Sequence, residues 1–209
     1  MIWNHKPTFS TKYQLICGLF VILAKNITPL KTTAIFMEGP VIIEPRIFHD
    51  PRGYFFESFN ADTFMAAGIT ANFVQDNQSL SQKGAVRGLH FQAPPFEQGK
   101  LVRVVQGAVV DVVVDIRKGS KTYGQSYAIE LSAANQLMFW IPPGFAHGFE
   151  TLEDNTIFLY KCTNMYHKAS EGGLLWNDPA LKIQWRTQEP IVSDKDQILP
   201  KLIDFTSPF

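Results

Sequence analysis

The stretch KLVRVVQGAVVDVVVDIRKGS, residues 100–120, limits the fold more tightly than any other part of the chain. Val110, Val112, Val114 and Ile116 recur at every second position, with Asp111 and Asp115 on the opposite face. A period of two is the repeat of a β-strand, because successive side chains leave opposite sides of a pleated backbone. Gln106-Gly107 supplies a turn just before the valine run. Further strand-like runs follow near 125–131, 136–141, 145–151 and 156–163, separated by short polar or Pro/Gly breaks. PVIIEPRIF is an earlier one, and NADTFMAAG reads as a brief helix with Asn60 as N-cap and Gly68 just past its end. Many short strands at close spacing point to an antiparallel sandwich or barrel rather than a βαβ fold.

At 209 residues, 45% of them hydrophobic, the chain is long enough for one well-packed domain and short for two. Lys plus Arg equals Asp plus Glu at 19 each, so the net charge is zero. Sequence-independent nucleic-acid binding needs a basic excess or stripe, and this balance offers none. A small anionic ligand stays open, since a few arginines in one cleft suffice. Two cysteines, Cys17 and Cys162, make no disulfide framework, and no CxxC or Cys/His cluster suggests zinc. A reducing compartment is the expected setting.

Residues 1–36 have a different texture from the rest. YQLICGLFVILA, 13–24, has the length of a signal-peptide core but is short for a bilayer span. Lys25 follows at once and no small-x-small cleavage pattern is present. The alternative is a natural start at Met37 with an upstream or appended segment before it. The expected organisation is therefore an N-terminal extension, 1–36, outside the core, and a single domain, 37–209.

AVRGLHFQ, 85–92, carries His90 in an apolar setting broken by Gly88. A histidine there fills a core, holds a metal or moves a proton. IPPGFAHGF, 141–149, delivers His147 from a stiff turn, and its Pro-x-Gly-x-x-His form resembles the second motif of the cupins, small double-sheet β-barrels with a site in the mouth. Metal-binding cupins carry His-x-His in the first motif, whereas LHFQ puts Gln92 at the second position. With Glu97 nearby, two histidines and one glutamate are a poor metal set, so no metal is expected. Arg87, Lys100 and Arg103 lie close to His90 in sequence. Clustered cations that turn inward imply an anionic ligand or carboxylates, because unpaired burial of charge is costly. Tyr160 shares a strand face with Phe158 and Cys162, where it serves as packing or as a proton donor.

Taken in order, DPRGYFFESF, FVQDNQS, VRGLHFQ, QGKLVRVVQGAVVDVVVDIRKGS, WIPPGFAHGF, YKCTNMY and SEGGLLWNDP resemble one family, the dTDP-4-dehydrorhamnose 3,5-epimerases. The resemblance runs from about residue 41 to 196. It implies an all-β, cupin-like jelly-roll barrel with a few short helices, working without cofactor or metal. His90 resembles the family's general base, Asp196 the carboxylate that orients it, Tyr160 the acid on the opposite sugar face and Lys100 the amine near the 4-keto oxygen. Arg52, Glu57, Gln75, Asn77, Arg87, His147, Glu171 and Lys195 fall on positions that bind the nucleotide-sugar. Asp196 is the loosest match, since the tail after Trp185 runs about one residue short of the family pattern. The implied reaction inverts C3 and C5 of a dTDP-4-keto-6-deoxy sugar through an enolate. The alternatives are single-centre epimerisation, a 3,4-ketoisomerisation, or a non-catalytic cupin. The resemblance further implies a cytoplasmic homodimer in which the strands near DPRGYFFESF cross to the partner, carrying Arg52 and Glu57 to its nucleotide. PRGYFFESF places four aromatics within nine residues, an unusual load for an exposed barrel edge. No membrane and no nucleic acid enter this picture.

Overall fold

Short, valine-rich strands between Gly and Pro turns build two facing antiparallel sheets in the computed structural model, which describes residues 30–209. The first sheet contains β1 (Lys31–Ala34), β2 (Val41–Glu44), β5 (Gln75–Ser81), β7 (Lys100–Gln106), β10 (Met138–Ile141) and β12 (Thr156–Cys162). Their order across the sheet is β1-β2-β10-β7-β12-β5. The second contains β6 (Ala85–Gln92), β8 (Ala108–Asp115), β9 (Ser126–Ser132), β11 (Phe145–Thr151) and β13 (Glu171–Gly173), ordered β13-β6-β11-β8-β9. A two-residue strand, β14 (Ile191–Val192), runs parallel beside β6. β3 (Phe48–Asp50) and β4 (Gly53–Phe55) form a separate hairpin. This is the cupin-like double-sheet barrel that the strand pattern and the resemblance predict.

The inward rows of both sheets meet in one core that includes Val102, Val104, Val109, Val113, Phe139, Phe149 and Phe158. Burying each such side chain stabilises the fold by roughly 1.5–3 kcal/mol. The alternation read in β8 is real, but neither face meets water, because every residue from Ala108 to Asp115 is buried. Val110, Val112, Val114 and Ile116 point away from the inter-sheet core and lie under Leu174, Leu181, Leu202, Phe205 and Phe209 of the C-terminal tail. The tail is pinned there by the Ser207 hydroxyl, which donates to the Ile116 carbonyl, and by Lys118 N–H donating to Phe209 O at 2.9 Å.

Helix α1 (Ala61–Ala66) forms where the sequence suggests. Asn60 Oδ1 accepts from the Asp62 and Thr63 N–H groups at 3.1 and 3.2 Å, satisfying donors that the first turn leaves free. Gly68 follows at φ +86°, a conformation that side chains disfavour. Phe64 anchors α1 against Ile43, Leu101, Met138 and Trp140 on the outer face of the first sheet.

Of the segment expected to lie outside the core, Lys31–Ala34 pairs with β2 as an edge strand whose side chains are exposed, and Ile35 packs partly buried against the inter-sheet core; Met37, where the domain is expected to start, is buried in that core. The apolar run at 13–24 and Cys17 lie outside the described residues. Among the described residues no helix is long and apolar enough to cross a membrane.

Candidate active site

His90 sits on β6 directly across from His147 on β11. Between them the two strands approach so closely that a Cβ on Gly88 would lie 2.6 Å from Gly148 Cα, so the pair of glycines is needed for this register. Gly88, at φ +128°, also adopts a backbone that L side chains rarely take. The contact coincides with a register shift between His147 and Phe149.

The outer edge of β6 is shared. β13 and the Leu174 that follows it pair with residues 89–92 and β14 with 85–86, leaving a gap at Arg87–Gly88. A short helix, α2 (Asp194–Gln197), fills that gap and inserts Asp196. Asp196 is 3% exposed; its Oδ1 lies 2.7 Å from His90 Nε2 and its Oδ2 accepts from the Gly88 N–H at 3.2 Å. Burial alone would raise this carboxyl, but the bonds from His90 and Gly88 outweigh it and hold Asp196 below the usual carboxylate range. With Nε2–H donated to the carboxylate, Nδ1 of His90 keeps the lone pair that a base requires. The short tail after Trp185 therefore brings Asp196 to His90 all the same.

A cleft of about 560 Å³ opens at this point, lined by Arg87, His90, Lys100, His147, Tyr160, Lys195 and Asp196 over a floor of Phe149 and Phe158. A second hollow of about 340 Å³ continues it outward, lined by Gln75, Asn77, Gln98, Tyr166 and Glu171. His90, Lys100 and Tyr160 line both, so they stand where the two meet. Lys100 and Tyr160 come from neighbouring strands of the first sheet and His90 from the second, so closure of the barrel brings His90 to the other two.

Burial lowers the Lys100 ammonium from its ordinary value, against the opposing pull of Cys162, Asp111 and Glu171. It raises the Tyr160 phenol, with Arg87 working the other way. It also lowers His147, in spite of a carboxylate 2.8 Å from its Nε2. That carboxylate is Asp111, fully buried and pushed upward by its burial. At the outer hollow Glu171 binds Lys195 Nζ at 2.5 Å and accepts from the Tyr166 hydroxyl at 3.0 Å. Gln75 Oε1 accepts the Tyr166 N–H at 2.9 Å, and Gln75 Nε2 donates to Asn77 Oδ1 at 3.0 Å. Arg87 donates to Ser81 Oγ at 3.0 Å.

Gln92 stands where a metal cupin has its second histidine, and its amide is committed elsewhere. Nε2 donates to Phe96 O at 2.6 Å and Met165 O at 3.2 Å, while Oε1 accepts from His167 N–H at 2.8 Å. Among the described residues no group of three or more His, Cys, Asp or Glu is arranged to hold a metal.

Ten of the twelve residues that the family resemblance assigns thus line one continuous cleft. Arg52 and Glu57 do not. Arg52 lies on the exposed β3–β4 hairpin, 2.6 Å from Asp50, and Glu57 beyond it accepts from Asn60 Nδ2 at 3.2 Å. Sequence reasoning passed over two others. Tyr166 closes the quoted run YKCTNMY and presents an exposed ring at the outer hollow. Asp111 was visible only as an acid inside an otherwise unbroken valine run.

The fold and the cleft together define a class: a cupin-like barrel whose mouth gathers a histidine–aspartate pair, a lysine and a tyrosine. The chain belongs to the dTDP-4-dehydrorhamnose 3,5-epimerase family, whose family model matches residues 34–204. The dTDP-4-dehydrorhamnose 3,5-epimerase of Shigella flexneri is 52% identical over 165 residues, 78% of this chain and 91% of that one. The crystal structure of dTDP-4-dehydrorhamnose 3,5-epimerase from Elizabethkingia anophelis NUHP1 matches with a TM-score of 0.81 at 45% identity, covering 85% of this chain and 98% of its own. The dTDP-6-deoxy-D-glucose-3,5-epimerase RmlC from Legionella pneumophila Philadelphia 1, solved in complex with dTDP-4-keto-L-rhamnose, matches at 0.80 and 46% identity, covering 83% and 93%.

Proposed function

We propose that the chain inverts C3 and C5 of dTDP-4-dehydro-6-deoxy-D-glucose to give dTDP-4-dehydro-L-rhamnose in dTDP-L-rhamnose biosynthesis. The observation that carries this reading is the 2.7 Å His90–Asp196 pair in a cleft shared with Lys100 and Tyr160. Protons at C3 and C5 are each α to the C4 ketone, so removing one leaves an enolate. His90 takes the proton, and Asp196 fixes its tautomer and stabilises the imidazolium that forms. Lys100 offers positive charge where the enolate oxygen develops negative charge. Tyr160, whose phenol burial keeps protonated, returns a proton on the other face and so inverts the centre. Gln75, Asn77, Arg87, His147, Glu171 and Lys195 hold the nucleotide-sugar, and the scheme calls on no cofactor or metal. Turnover in deuterated water tests it. Deuterium at both C3 and C5 is expected; label at one centre indicates a single-centre enzyme, and label at neither sinks the reading.

We also propose a cytoplasmic homodimer with a shared nucleotide site. Arg52 and Glu57 lie outside their own chain's cleft, on or beside a hairpin that exposes Phe48, Tyr54 and Phe55, residue types common at interface cores. An inactive R52A chain mixed with an inactive H90A chain is expected to regain activity, because one of the two mixed sites keeps both residues. No rescue despite proven subunit exchange overturns the shared site. A protein beginning at Met37 is expected to remain soluble, dimeric and active, since β1 contributes only exposed side chains and Leu30 and Ile35 beside it are only partly buried.

A further inference from the structure

Asp111 and His147 form a second histidine–carboxylate pair, and the proposed reaction gives Asp111 no part. Asp111 lies on β8 opposite Phe149, and His147 lies opposite Val113, so the two are diagonal neighbours on the face that looks between the sheets. His147 in turn pairs with His90 across β11 and β6. A row therefore crosses the second sheet from the edge inward: Asp196, His90, His147, Asp111. Both acids bond to the Nε2 of their histidine, at 2.7 and 2.8 Å.

The inner acid is held differently from the outer one. It is 0% exposed, and its Oδ1 has no hydrogen-bond partner among the described residues. A half-satisfied buried carboxylate destabilises a fold, and an amide of the same shape would bond the imidazole without the charge. Packing alone gives no reason for an acid here. Electrostatics does: His147, the hydrogen-bond partner of Asp111, lines the same cleft as Lys100, and the Asp111 and Lys100 charges favour one another across that ring.

We infer that Asp111 is a positioning residue: from the barrel floor it fixes the His147 ring through Nε2 and supplies the buried negative charge against which the Lys100 ammonium stands. The inference rests on the epimerase reading for its consequence but not for its geometry. Without Asp111, the groups around Lys100 are Cys162 and Tyr160 from β12, Glu171 from β13, His90 and Arg87 from β6, and His147 from β11. Of the acids that support its charge, only Glu171 then remains, and it is already engaged by Lys195. The ammonium needed beside a developing enolate oxygen loses its proton at a lower pH.

The test is D111N, read in three ways. Thermal unfolding is expected to match or exceed wild type, because the change removes a buried charge. The kcat is expected to fall about tenfold or more with KM nearly unchanged, and its alkaline limb to move to lower pH by about one unit. Carbon-13 NMR of reductively methylated protein, with K100Q to assign the resonance, is expected to show the Lys100 signal titrating lower by a similar amount. D111E keeps the charge and is expected to restore the Lys100 titration even where the His147 ring is displaced. Should D111N not fold, D111E alone decides, since a Lys100 titration lower than wild type in that variant overturns the inference. An unshifted Lys100 in folded D111N, or an activity loss that follows lost stability, overturns it too. The NMR titration needs no turnover, so a failure of the epimerase reading leaves it interpretable.

Discussion

Asp111 and Asp115 stand four positions apart on β8, on one face and both fully buried, yet their surroundings drive them in opposite directions. At the cleft end, Asp111 has one partner and an orphaned oxygen, and burial raises its carboxyl. At the closed end, burial would likewise raise Asp115. Five bonds overcome it: Arg117 N–H, Nε and Nη2 at 3.0, 2.9 and 2.7 Å, and the Ser120 and Thr122 hydroxyls, each at 2.6 Å. Asp115 falls to about 2. The difference separates two uses of a buried acid. One end of the strand spends its donors on locking a loop; the other leaves a carboxylate oxygen unanswered behind His147, which lines the cleft. Substitutions at the cleft end should therefore cost activity, and substitutions at the closed end should cost stability.

The sharpest test of the cleft end is His90. H90Q places an amide near the position of Nε2, so it can still donate to Asp196, but it removes the base. Turnover is expected to fall by ~10²–10⁴-fold, while the unfolding midpoint stays near wild type. A variant that exchanges substrate protons at the wild-type rate would falsify the assignment. One that loses activity only by unfolding would erase the contrast between the two ends.

How much of this contrast was legible in the sequence depended on distance along the chain. The strand of Asp111 and Asp115 was readable from its period of two, and so was α1 from Asn60 and Gly68. What the period could not show is that both faces of β8 are covered, because the tail residues Leu202, Phe205 and Phe209 carry no periodicity of their own. His90, Lys100 and Tyr160 stood out as residue types, but strand pairing brings Lys100 and Tyr160 together and barrel closure brings His90 to them. Asp196 reaches His90 across 106 positions, and only the family resemblance linked them beforehand. Asp111 went unremarked as a site residue because alternation alone treats it and Asp115 as equals. Their hydrogen-bond partners tell them apart, and those are tertiary facts.

Tyr160 gives the next largest effect at the cleft end. Y160F keeps the ring against Phe158, 6.0 Å between centroids, and removes only the hydroxyl. Formation of inverted product is expected to drop about 10²-fold, toward the lower end of the acid–base range since water can replace the donor. His90 still removes protons in this variant. Deuterium should accordingly wash into recovered substrate faster than epimer appears. An unchanged epimer yield would rule Tyr160 out as the donor.

The smallest effect belongs to the closed end, and it is thermodynamic. The Asp115 carboxyl lies at about 2 against an ordinary 3.8, and its side chain is 0% exposed, so solvent screening does not discount the shift. At 1.36 kcal/mol per unit, that depression corresponds to about 2 kcal/mol of folding stability. Because the folded value is the lower one, the contribution is complete above the unfolded value near 4 and disappears as pH falls toward 2. D115N should therefore lose about 2 kcal/mol in urea unfolding at neutral pH, with kcat unchanged while the protein is folded. As the wild type is taken down through that acid window, the gap between the two proteins should close from the wild-type side. A gap of the same size at both ends of the window would mean that the Arg117, Ser120 and Thr122 contacts act through packing and not through the carboxylate's charge. A fall in kcat without unfolding would mean that the two ends of β8 are not independent, and that the loop at 116–125 helps to hold the cleft.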